Sequence, residues 1–180
     1  MIERQSDRRY LGVQVMWSIL PFMQKNAPNR SHGRVRKWMQ EFRSVEGANL
    51  KIGAIGFCWG GYHVTKLARG DPTSNGRPVV DVAYTAHPSE LKLPEDIEQI
   101  AIPYSVVIGD VDFAMPLKQV EEMRQILSKA GKPESEVVVI SNAKHGFAVR
   151  ADPEDEQAMV MAHQAFHQAI NWFKEHLDSN

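Results

Sequence analysis

The run Ile52-Gly53-Ala54-Ile55-Gly56-Phe57-Cys58-Trp59-Gly60-Gly61 decides how this chain folds. Its first half is short and apolar, as a buried strand is, and Tyr62 to Arg69 then reads as a helix. A strand, a tight turn and a helix, with glycine two places before and two places after a nucleophilic side chain, make the G-x-S-x-G elbow, here with cysteine in place of serine. The spacing has a physical origin. The central residue must adopt a strained backbone so that its side chain projects from the turn. Side chains two places either side are expected to collide there, which accounts for Gly56 and Gly60. The thiol of Cys58 then stands at a helix N-terminus, whose free N–H groups favour an anion.

A nucleophilic thiol needs a base, and the base needs an acid to orient it. In elbow-type folds the order along the chain is nucleophile, acid, histidine. Downstream, the apolar strand Tyr104 to Ile108 runs into Gly109-Asp110-Val111-Asp112, and the strand Val137 to Ile140 leads through Ser141-Asn142-Ala143-Lys144 into His145. Cys58, Asp112 and His145 therefore come in the required order, each after an apolar strand-like run. Asp110 reads as a residue that shapes the turn. His87, at the end of another strand, is expected to line the substrate pocket. Arg150, five residues after His145, can pair with a substrate carboxylate.

At these residues a resemblance becomes specific. Ile55 to Gly61 is similar to the elbow of the dienelactone hydrolase family, whose nucleophile is cysteine. Gly109-Asp110-Val111-Asp112-Phe113-Ala114-Met115-Pro116 resembles that family's acid turn, in which the acid stands four places before a proline; this register selects Asp112. His145-Gly146-Phe147-Ala148 resembles its histidine motif, and Ala86-His87-Pro88-Ser89 a phrase of its fungal-type branch. The resemblance implies hydrolysis of a small-molecule ester or lactone through a thioester, with the backbone N–H of Trp59 donating to the oxyanion and no metal or organic cofactor required. It runs from about residue 50 to the C-terminus. It also implies that the first strands of the family, a loop donating a second oxyanion N–H and charged substrate contacts have no counterpart in residues 1–49. The alternative reading is a non-catalytic remnant or interaction module that keeps the triad by descent. Redox sensing through Cys58 lacks a resolving cysteine within the chain.

The composition bounds the rest. A chain of 180 residues and net charge −1 is expected to form one domain, and nothing in its overall charge favours nucleic acid. Its one cysteine leaves no internal disulfide framework and no cysteine-rich zinc site. His163 and His167 lie four apart on a helix without a metal-binding companion and read as solvated positions. Leu11 to Met23 is fairly apolar after Arg4, Arg8 and Arg9, but too short to span a bilayer. It reads as the remnant of a loop and helix lying over the core, and a cytoplasmic protein is expected.

Strands alternating with helices predict an α/β fold: three layers, a mostly parallel sheet with helices on both faces, resembling an α/β-hydrolase that lacks the first strands. Ser31 is expected to cap a helix over about 33–45, with Val35, Trp38, Met39 and Phe42 inward and Arg34, Arg36, Lys37 and Arg43 in water. Pro116 is expected to open the next helix but one, with Leu117, Val120, Met123, Ile126, Leu127 and Ala130 as its stripe. Asp152 and Pro153 are expected to start the last helix, with Ala158, Met161, Ala162, Ala165, Phe166, Ala169, Ile170 and Phe173 inward. Without earlier strands, one side of Ile52 to Phe57 is left unpaired. That edge is expected to form a homodimer or to be covered by Leu11 to Trp17.

Overall fold

The structure, a computed structural model, describes residues 24–129 and 131–178, together with Trp17, Pro21 and Phe22. Helix α1 (Pro28–Ser44) leads into strand β1 (Gly53–Phe57) and helix α2 (Trp59–Leu67). Strand β2 (Val82–Ala86), the short α3 (Glu95–Glu98), β3 (Tyr104–Gly109), α4 (Leu117–Leu127), β4 (Ser135–Ile140) and α5 (Glu156–Leu177) follow. The four strands form one parallel sheet in the order β1-β2-β3-β4. Parallel neighbours require crossovers, and the intervening helices supply them.

Alternation along the strands divides the core into two layers. Ala83, Tyr104, Val106 and Ile108 face α2, α3 and α4, where they meet Val64, Leu67, Ile97, Val120 and Met123. Val82, Tyr84, Ala86 and Val107 face the other way, onto Ala165, Ala169 and Trp172 of α5. Every residue of β2 and β3 is buried. Polar groups inside the sheet are paired: the Tyr104 hydroxyl lies 2.8 Å from Thr65 Oγ1 and 3.2 Å from Thr85 Oγ1.

The expected three-layer α/β architecture is present. Several boundaries and faces differ from expectation, each for a local reason. Helix α1 begins at Pro28, so Ser31 lies inside it; the Ser31 hydroxyl donates back to the Ala27 and Pro28 carbonyls instead of capping. Arg43 is fully buried, because its guanidinium ties the Gly47 and Leu50 carbonyls and the Asp81 carboxylate together. Trp38 turns outward and stacks on Phe42, with ring centroids 5.6 Å apart. Pro116 occupies the cap position of α4, not its first turn, and Leu117 is exposed. The last helix is capped by Asp155, whose carboxylate accepts from the Ala158 N–H at 3.0 Å. Asp152 instead accepts from the Glu154 N–H three residues too early to start it. On α5, Phe166 is exposed and Trp172 takes the core position, its indole N–H donating to the Ala83 carbonyl at 3.0 Å. The stretch Leu11 to Met16 and residue Ala130 lie outside the described residues. Among the described residues no helix is long and apolar enough to cross a membrane.

Candidate active site

The parallel strands all end on one side of the sheet, which is where ligands bind in open α/β sheets. Cys58 follows β1 directly and caps α2 with φ 49° and ψ −119°. A positive φ at a non-glycine residue is a strained state that must be held from outside. Here the hold is the end of β2: the Cys58 N–H donates to the Ala86 carbonyl at 3.3 Å, and the Cys58 carbonyl accepts from Ser89 at 3.1 Å and Gly61 at 3.0 Å.

The glycines around the elbow are not equivalent. A Cβ on Gly56 would strike the backbone carbonyl of Gly60 and, at 2.8 Å, the Val64 side chain. A Cβ on Gly60 meets nothing within 4 Å, so the expected symmetric clash exists on one side only. The close approach that the sequence reading missed is at Gly61, where a Cβ would lie 2.7 Å from Pro88 Cβ. Gly61 and Pro88 together bring the His87 turn against the elbow.

Asp112 stands in the loop after β3. Its side chain is buried, one oxygen accepting from the Ala114 N–H at 2.8 Å and both meeting His145 Nδ1, at 2.9 and 3.0 Å. Asp110 Oδ1 accepts from the Asn142 N–H at 2.6 Å and so fastens the acid loop to the histidine loop. Gly109 lets the two loops touch, since a Cβ there would overlap the Ala143 carbonyl. The His145 ring lies against exposed Phe113, with centroids 4.9 Å apart. Cys58 Sγ and one ring nitrogen each of His87 and His145 lie within 4.8 Å of one another.

His87 is fully buried with φ 40°. Its Nδ1 lies 3.3 Å from Cys58 Sγ. Burial, with help from the neighbouring His145, lowers its pKa to about 4, so this ring is neutral near pH 7. Burial pushes the Cys58 thiol pKa up; the Arg150 charge opposes that rise and the Asp112 charge adds to it. Arg150 is exposed, its guanidinium lying over Gly146 and donating to the His145 carbonyl at 3.2 Å. Trp59 is half-buried, edge-on to His63 at 4.2 Å. A groove of about 1200 Å³ between β4 and α5 is lined by residues such as Glu136, Met161 and Gln168 and holds none of these groups.

A sequence model of the dienelactone hydrolase family matches residues 15–177. The hydrolase pyvD of Aspergillus violaceofuscus is 27% identical over 161 residues, which are 89% of this chain and 62% of that protein. The hydrolase tropI of Talaromyces stipitatus is 33% identical over 128 residues, 71% of this chain and 46% of that protein. The chain thus spans about half to three-fifths of the length of these relatives. Among solved structures, MGS-M1, an alpha/beta hydrolase enzyme from a Medee basin deep-sea metagenome library, superposes with a TM-score of 0.60 at 19% identity, covering 81% of this chain and 64% of that one. That likeness is one of fold. The family match spans nearly the whole chain, and the chain belongs to the dienelactone hydrolase family.

Proposed function

We propose that this chain hydrolyses a small-molecule ester or lactone with Cys58 as nucleophile, His145 as base and Asp112 as the acid that orients it. The observation carrying this reading is the His145–Asp112 pair, 2.9 Å apart and set beside a thiol on a strained elbow. With Nδ1 engaged by Asp112, Nε2 is the nitrogen left to take the thiol proton. The thiolate sulfur attacks the carbonyl carbon and the carbonyl oxygen becomes an oxyanion. The first N–H groups of α2 have no partner within the helix, and that of Trp59 is the donor offered to the oxyanion. The intermediate collapses to a thioester, and His145 returns the proton to the departing alkoxide; in a lactone that alkoxide stays tethered to the acyl group. Water, deprotonated by His145, then cleaves the thioester and frees the acid. Arg150, at the rim, offers its charge to a substrate carboxylate. Loss of a single oxyanion donor lowers rates by about 10²–10³-fold, so the Trp59 N–H weighs heavily on the rate.

The test is p-nitrophenyl acetate hydrolysis by the full chain beside Cys58→Ala and His145→Ala. The expected result is a stoichiometric burst followed by turnover, lost in both variants. No burst from a folded protein would overturn the hydrolase reading in favour of an interaction module that retains the triad.

A further inference from the structure

The thiol has two histidines beside it, and the proposed reaction uses one. His87 is the one within hydrogen-bond distance of the sulfur, its Nδ1 3.3 Å from Cys58 Sγ. The ring is fully buried, edge-on to His145 and Phe147 at centroid distances of 5.2 and 5.3 Å and tilted on Phe57 at 6.2 Å. Its Nε2 is buried and has no hydrogen-bond partner among the described residues. That fact selects the tautomer. A neutral imidazole carries its proton on one nitrogen. Were it on Nε2, an N–H donor would be buried unpaired, an arrangement that native proteins rarely tolerate. With the proton on Nδ1, the N–H points at sulfur and the bare nitrogen is left among aromatic rings.

The turn that delivers the ring is itself built for the purpose. His87 has φ 40°, a conformation that few non-glycine residues adopt and that histidine adopts more readily than most. Its own N–H donates to the Val107 carbonyl at 2.7 Å, and Pro88 closes on Gly61 of the elbow helix. The ring is thereby fixed to the same loop junction that strains Cys58.

We propose that His87 is a neutral hydrogen-bond donor to the Cys58 sulfur, stabilising the thiolate through Nδ1–H while His145 alone accepts the proton. The inference rests on Cys58 being the reacting nucleophile. It divides the work between the two rings. His145, paired with a carboxylate, is suited to become a cation, whereas His87, enclosed by aromatic rings, is suited to stay neutral. In the ionisation step the S–H bond breaks, its proton goes to His145 Nε2, and His87 keeps its own proton while the bond to sulfur gains charge assistance. Because burial works against the thiolate, a donor at sulfur offsets that penalty. The other ionisable groups acting on this pair are His145, Asp112 and Arg150.

Cys58 is the only cysteine in the chain, so alkylation reports on that thiol alone. The experiment is the pH dependence of iodoacetamide labelling for the unmodified protein, His87→Ala and His87→Asn. Asparagine tolerates a positive φ and places an N–H close to where Nδ1 stands. His87→Ala is expected to raise the labelling midpoint by about one pH unit, and His87→Asn to restore most of it. An unchanged midpoint in His87→Ala, or an Asn variant that follows Ala, overturns the proposal. The tautomer can also be read in the unmodified protein from the ¹⁵N shifts of the His87 ring: a protonated Nδ1 and bare Nε2 are expected, and the reverse overturns it. Labelling needs no turnover, so a failure of ester hydrolysis leaves these readouts intact and the two claims separable.

Discussion

A methyl group added at Gly56 has no space: it would meet the Gly60 carbonyl across the elbow, and neither backbone can yield without releasing Cys58 from its positive φ. Gly56→Ala is expected to destabilise the fold by about 2–3 kcal/mol and to lose reactivity of the thiol. Gly60→Ala, with open space around its Cβ and a helical position in α2, is expected to be neutral or stabilising by up to about 1 kcal/mol. Urea melts of the two variants check this, and equal losses would contradict it. Asp112→Asn is expected to lower kcat/KM for p-nitrophenyl acetate by about 10³–10⁴-fold with little change in the fold, because the amide cannot hold the imidazole in its working tautomer. A loss below tenfold would remove Asp112 from the proposed mechanism. The juxtaposition of Cys58, Asp112 and His145 was legible in the sequence, because each follows an apolar strand and parallel strands end on one side, whereas the open space at Gly60 was not. The proximity of His87 to sulfur was not, because the direction of its ring depends on a positive φ and on the Gly61–Pro88 contact, and neither has a periodic signature.

Helix α1 shows what a helical pattern can and cannot reveal. Val35 and Met39 pack on the core as their spacing predicts. Arg43 shares a polar stripe with Arg34 and Arg36 in sequence, yet it is buried because Asp81, 38 residues later, supplies its charge partner. Removing one member of a buried ion pair leaves the other uncompensated, so Arg43→Ala is expected to cost about 3–5 kcal/mol, whereas Arg34→Ala should stay within about 0.5 kcal/mol. The contact of α1 with α2 carries a second consequence. His32 stacks on His63, with ring centroids 5.6 Å apart and planes 4° from parallel, and a ring nitrogen of each lies 3.4 Å from the other. Burial, together with the charge of His63 and nearby basic residues, lowers the His32 pKa from 6.5 to about 4. Between those two values the unfolded chain binds more protons than the folded one, so stability falls as pH falls through this window and is fully present above it. The expected loss from His32, discounted for screening by solvent at its partly exposed ring, is about 1 kcal/mol between pH 7 and pH 5. Chemical denaturation at the two pH values checks it, and His32→Gln should flatten the dependence. A dependence that survives unchanged in that variant would assign it elsewhere. The start of α5 was misplaced for a simpler reason. Asp152-Pro153 and Asp155 both offer acceptable caps, and the Asp155 carboxylate, which accepts from the Ala158 N–H, is the one that starts the helix.

At the scale of the whole molecule, the alternation of short apolar runs with helical stretches was enough to read a parallel α/β sheet with helices on both faces, because each pattern has its own period. The strand order and the two core layers required coordinates, since they depend on pairing between residues far apart in sequence. Strand β1 pairs with β2 alone among the described residues, and Ile55 on it is 48% exposed. An edge of this kind invites pairing. Two outcomes are expected in sedimentation or size-exclusion measurements. Either the protein self-associates and Ile55→Lys returns it to monomer, or it is a monomer that self-associates once residues 1–16 are removed. A monomer indifferent to both changes would contradict the reading of this edge. The fold and the proposed reaction meet at the strand ends, where β1 delivers a thiol, the loop after β3 an acid and the loop after β4 an imidazole. The most direct test of that convergence is intact-protein mass spectrometry after rapid mixing with p-nitrophenyl acetate and acid quench. The account predicts one acetyl group per chain, located on Cys58, that disappears with time and persists longer in Asp112→Asn. No adduct, or one of equal extent in Cys58→Ala, would contradict it.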